Sequence, residues 1–151
     1  MKKIMSILCA ISILVAPMNV HAQEIYGDGS ATTTVTAHVD SQYCVLIPET
    51  IVADGTRYYF TASMMDLAEG DVVNISVSGL DDGKLPMSGG NEGAYALVES
   101  EQVPIYNGTV FATFHDGEMT ATNGLYATLQ EAYKAGDYTG TLTFNIQLGQ
   151  E

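Results

Sequence analysis

His38 stands two residues before Asp40, and His115 stands beside Asp116. A histidine next to a carboxylate can act as a general base or ligate a metal. Both of these histidines sit alone in strand-like, turn-flanked stretches, which is the usual setting of a surface residue. The sequence holds no G-x-S-x-G elbow, no H-E-x-x-H and no glycine-rich phosphate loop. No enzymatic activity is therefore expected. Calcium is the one candidate ion. Asp81 and Asp82, next to Gly83, and Asp116 with Glu118 put oxygen ligands in loops, the first pair being the candidate site. Their spacing is not that of an EF-hand, and Asp-Asp-Gly also reads simply as a turn. Otherwise no cofactor is expected.

Tyrosine offers a second kind of chemistry, contact. Tyr58 and Tyr59 are adjacent, so in a strand they point to opposite faces. Tyr59, on the side away from Phe60, is the candidate contact residue. Asn74-Ile75-Ser76 and Asn107-Gly108-Thr109 match the glycosylation sequon and are read as chance matches.

The elements that would position these groups begin with a leader. Lys2 and Lys3 precede an apolar run from Ile4 to Ala16, and Val20-His21-Ala22 places small residues at −3 and −1 of a cleavage site. The run is short for a membrane span. Residues 1–22 are thus expected to be a signal peptide, and the chain to be exported to the periplasm, the cell surface or the medium. Cys9 would leave with the leader. Cys44 would remain as a small buried residue in Tyr43-Cys44-Val45-Leu46-Ile47, the alternative being an intermolecular bridge or a reactive thiol.

Cleavage leaves about 129 residues, enough for one domain. The formal net charge of −13 becomes −15, because only Arg57, Lys84 and Lys134 then face the 18 acids. Such a surface repels nucleic acid and anionic lipid, which are poor partners for it.

Residues 23–30 read as a flexible arm. Ala31, Thr33, Val35, Ala37 and Val39 then share one face of an alternating strand. Further strands are expected over Tyr43–Ile47, with Ile51 and Val52 continuing it beyond Pro48, and over Arg57–Met64. In the latter, Tyr58, Phe60, Ala62 and Met64 share the inner face. Val72–Ser78 should bury Val73, Ile75 and Val77. Leu85–Gly93 reads as a loop, with short strands over Ala94–Val98 and Val103–Tyr106. Asn107-Gly108 is a hairpin signal before Thr109–Phe114. Asp116-Gly117 is another turn. Met119–Ala121 and Leu125–Leu129 follow, then one helical turn over Gln130–Lys134. The last strand runs from Tyr138 to Leu148, with Tyr138, Leu142, Phe144, Ile146 and Leu148 facing the core. About 7–9 short strands with turns every ~8–12 residues predict an all-β, antiparallel two-sheet sandwich over residues 31–151.

Ala135-Gly136-Asp137-Tyr138-Thr139-Gly140-Thr141-Leu142-Thr143-Phe144 resembles the closing strand of small secreted bacterial immunoglobulin-like proteins, the spore-coat-U-like and pilin-like kind. Val45-Leu46-Ile47-Pro48-Glu49-Thr50-Ile51 resembles a segment near their start. The resemblance implies an immunoglobulin-like sandwich acting as a structural or adhesive module, a pilus or matrix subunit. It departs from chaperone-assembled pilins in lacking a cysteine pair. Expected partners are further copies or other surface proteins; the Ala31–Val39 strand pairs either within its own domain or, by strand addition, with a neighbour's open edge. The alternative is an extracellular module that binds glycans or calcium.

Overall fold

The computed structural model describes residues 7–10, 37–90 and 93–151. The expected arm and most of the expected leader lie outside the described residues. So do Ala31, Thr33 and Val35. Ten strands and no helix occur among the described residues.

The larger sheet contains β1 (Ile7–Ala10), β2 (Gln42–Leu46), β3 (Tyr58–Asp66), β9 (Thr120–Gln130), β6 (Tyr95–Ser100) and β5 (Lys84–Pro86), hydrogen-bonded in that order. A two-residue strand, β7 (Val103–Pro104), also pairs with β6. The smaller sheet has the order β10 (Thr143–Gln150), β4 (Asp71–Ser78), β8 (Val110–Phe114). Every pairing is antiparallel. The two-sheet, all-β expectation is met, with nine strands besides β1.

The core lies between the sheets. β4 is the middle strand of its sheet, and Val73, Ile75 and Val77 are fully buried, as the alternation predicts. They pack with Phe60 and Met65 from β3, Val98 from β6, Phe114 from β8 and Leu125 from β9. Phe60 joins the layers, its ring 5.5 Å from Phe111 and 5.2 Å from Phe144.

Several expectations need correction. Met65, not Met64, is the buried methionine of β3. Cys44 pairs with Met64 but Val45 pairs with Ala62, so Ser63 is an extra residue. Such a bulge moves everything beyond it to the opposite face. The start of the expected loop Leu85–Gly93 is instead a strand, Lys84–Pro86, because it pairs with Tyr95, Ala96 and Leu97 of β6. Ile51 and Val52 do not extend β2; they lie in a strap, residues 47–53, that leaves the sheet after Leu46. The helical turn at Gln130–Lys134 is absent. Gln130 ends β9, and Glu131 has a φ of +54°, which no helix allows.

Asn107-Gly108 does not close a hairpin between paired strands. It carries the chain from β7 in one sheet to β8 in the other. The Asn107 amide accepts from the Leu80 N–H at 2.9 Å and donates to the Leu80 carbonyl at 2.7 Å. Gly108, at φ +78°, donates to the Val77 carbonyl. The turn chemistry is that of a tight turn, but its grip is on a distant segment.

The last strand also starts later than expected. Residues 138–142 first cross the end of the larger sheet, where Thr139 and Ser88 exchange backbone hydrogen bonds of 2.8 and 2.7 Å. A Cβ on Gly140 would stand 2.8 Å from the Pro86 carbonyl oxygen, so only glycine fits this approach. The chain then joins the smaller sheet as its outer strand, β10. Leu142, Phe144 and Ile146 are half-buried against the core, and Leu148 is 45 % exposed rather than inward. An outer strand covers only part of the core beneath it.

Candidate functional site

Because β10 covers the core only in part, the sheets stay apart along one side. An apolar cleft of about 710 Å³ opens there, within the range of about 300–1,000 Å³ usual for binding pockets. Its floor is the inner face of the larger sheet: Leu85 from β5, Ala96 and Val98 from β6, Leu125 and Ala127 from β9. One wall is the strap 47–53. The other is the crossing segment 138–142 with Phe144.

The strap is fastened at its far end. Ala53 accepts from the Leu129 N–H at 3.0 Å, and the Val52 N–H donates to the Tyr58 hydroxyl at 2.9 Å. Asp54 then caps the next turn by accepting from the Thr56 N–H at 2.9 Å. That bond holds its carboxyl below the ordinary aspartate value. Near its start, Pro48 removes a donor from the chain where it leaves β2, which suits departure from a ladder.

The lining is mainly hydrocarbon, with the hydroxyl-bearing residues Thr50, Tyr138, Thr139 and Thr141, and Glu49 at the strap. None of the lining residues is a histidine or cysteine. Such a surface binds by burying apolar groups and by offering backbone to an extended chain. Among the described residues, β10 has β4 as its only strand partner, so its outer edge is unpaired there.

The residues singled out from sequence fall in separate places. Tyr59 is 52 % exposed and lines a shallower recess on the outer side of the strap, with Pro48 and Thr61. Its hydroxyl accepts from Arg57 at 3.3 Å, and the guanidinium also lies 5.7 Å from the Tyr126 ring and 3.1 Å from Glu101. Asp82 and Gly83 form a two-residue turn that Asp81 and Lys84 close. Asp82 (φ +45°) and Gly83 (φ +76°) are both left-handed, and Asp81 and Lys84 exchange backbone bonds of 2.7 and 2.9 Å. That is the I′ hairpin geometry that favours Asp-Gly. Among the described residues, no group of three or more His, Cys, Asp or Glu side chains is placed to hold a metal ion.

Ala37 and Val39 lie outside any strand, with Val39 74 % exposed. His38 meets Asp40 at 3.1 Å on the surface, as their spacing suggests. His115 pairs with Glu118 and Glu151 rather than with Asp116, whose carboxylate accepts from the Leu67 N–H. Both sequon asparagines are in structural use. Asn107 holds Leu80, and Asn74 accepts from the Thr113 hydroxyl at 3.0 Å.

The cleft itself was not visible as a site in sequence. Its nearest signal was the pair Ile51 and Val52 stranded beyond Pro48, apolar residues with no strand to belong to. Comparison with protein-family models, with curated proteins and with solved structures gives no match. Among the described residues, no helix is long and apolar enough to cross a membrane.

Proposed function

We propose that this chain is an exported, non-enzymatic structural or adhesive subunit of the immunoglobulin-like kind its end segments resemble. It assembles by taking an extended strand from a neighbouring copy or surface protein onto its open side. The observation that carries this reading is the apolar cleft, walled by the crossing segment 138–142 and by Phe144, where β10 begins with its outer edge unpaired among the described residues. An added strand meets both needs at once. Its backbone satisfies the edge, and every second side chain drops into the cleft.

Ala31–Val39 suits that task. Its small and β-branched residues alternate with threonines, and the part described, Ala37–Val39, is exposed and outside any strand. The leader adds a second consideration. Ile7–Ala10 lies against β2, pairing Ile7 with Leu46 and Ala10 with Tyr43. Cleavage after Ala22 would carry that strand away and open the edge of β2, next to the strap.

Light scattering after size exclusion tests the proposal, comparing residues 23–151 with residues 40–151. The longer form is expected to associate as concentration rises and the shorter form to stay monomeric. Each copy carries a large negative charge, so association should strengthen with added salt. Two monomers at every concentration and salt level would refute assembly through this segment.

A further inference from the structure

At the rim of the smaller sheet, His115 follows the end of β8, and both of its ring nitrogens meet carboxylates. Nδ1 lies 3.0 Å from Glu118 and Nε2 lies 3.1 Å from Glu151. Carboxylates only accept, and a neutral imidazole has one N–H to give. The doubly bridged geometry therefore belongs to the imidazolium.

The two bonds are not equal. Glu118 is also held by the His115 backbone N–H at 2.8 Å, which fixes it in the turn whatever the ring does. Glu151 follows β10 and is otherwise tied by its backbone N–H to the Gly70 carbonyl at 3.1 Å. A ring with one proton left keeps it on Nδ1, toward the fixed Glu118. Nε2 then turns a lone pair toward the Glu151 oxygen, and that contact becomes repulsive. Among the described residues, the other ionisable groups on the adjoining segments are Asp116, Asp66, Glu69 and Asp71, with His38 and Asp40 on the segment that Ser41 ties to Asp71. Among these described groups all but His38 are acids, and His38 is itself paired with Asp40 at 3.1 Å.

We propose that His115 is a pH-operated clasp that, when protonated, ties the end of β10 to the end of β8 across the start of β4, and releases Glu151 when it loses its proton. The bond to Glu118 raises the His115 pKa above its ordinary value; partial desolvation opposes it, and the charges of Glu118 and Glu151 add to the rise. Stabilisation from a raised histidine is fully present below the unfolded-state pKa and fades as pH rises through the folded one. On the acid side, the His115 backbone N–H holds the Glu118 pKa below the ordinary glutamate value. The clasp is thus closed between the carboxylate and imidazole ranges and opens toward alkaline pH. This inference concerns the rim and stands apart from strand addition at the cleft.

Carbon-13 NMR of the full chain, titrated from about pH 5 to about pH 8.5, tests it across the imidazole range. The Cα shifts of Gln150 and Glu151 should move from extended toward coil values along the same curve as the His115 ring. In His115→Gln they should stay flat. In Glu151→Gln the proton affinity of His115 should fall about two- to fivefold, the range an exposed ion pair supports. Cα shifts that stay constant while His115 titrates would overturn the clasp, as would an unchanged His115 midpoint in Glu151→Gln.

Discussion

Phe60→Ala is expected to destabilise the domain by about 3–5 kcal/mol. Phe60 is fully buried and touches rings from both outer strands of the smaller sheet, Phe111 of β8 and Phe144 of β10. Truncation removes its own burial and also the edge-on contacts that register one sheet on the other. The hole left behind opens toward the cleft wall at Phe144, so neighbours on that side are free to relax and water can enter. Domains of this size are stable by about 5–15 kcal/mol, so the loss takes a large share. Urea unfolding reads it directly: the midpoint should fall sharply at an unchanged m value. A change under about 1 kcal/mol would mean that Phe60 does not join the sheets.

Asn107→Ala should cost about 2–4 kcal/mol, more than an exposed turn residue usually does. Its amide satisfies both backbone groups of Leu80, and Leu80 is itself buried. Removing the side chain leaves a part-buried N–H and a part-buried carbonyl without their partner, each worth about 1–3 kcal/mol when unpaired. Asn107→Asp separates the two bonds, because a carboxylate keeps the acceptor and loses the donor. It should fall between the wild type and the alanine variant in urea unfolding at neutral pH. If both variants lost less than about 0.5 kcal/mol, as ordinary surface changes do, the crossover would not depend on this amide.

The parts of the fold that could be read from sequence are those where local pattern and position in the sheet agree. β4 is flanked on both edges and covered on one face, so Val73, Ile75 and Val77 advertise their burial by alternation alone. The Asp82-Gly83 and Asp116-Gly117 turns declare themselves because glycine takes the left-handed conformation they need, at φ +76° and +73°. The failures come from non-local choices. Nothing near Ser63 announces a bulge, since that extra residue is set by how β2 and β3 pair. Tyr138–Leu148 alternates throughout, yet only from Thr143 onward does it lie in a sheet, because Gly140 is needed against Pro86. The alternation of β10 was legible; its place at the edge was not, and with it went the cleft. His115 was matched with its neighbour Asp116, whereas its partner Glu151 lies a full two strands later in the chain.

The central claim is that the cleft beside β10 accepts an extended strand. A synthetic peptide of residues 31–39, titrated into residues 40–151 and followed by amide NMR, tests it most directly. The account predicts saturable one-to-one binding, with shifts confined to the strap 47–53 and to Leu142 through Leu148, and slowed exchange of the outward-facing β10 amides. No binding, or shifts centred elsewhere on the domain, would contradict it.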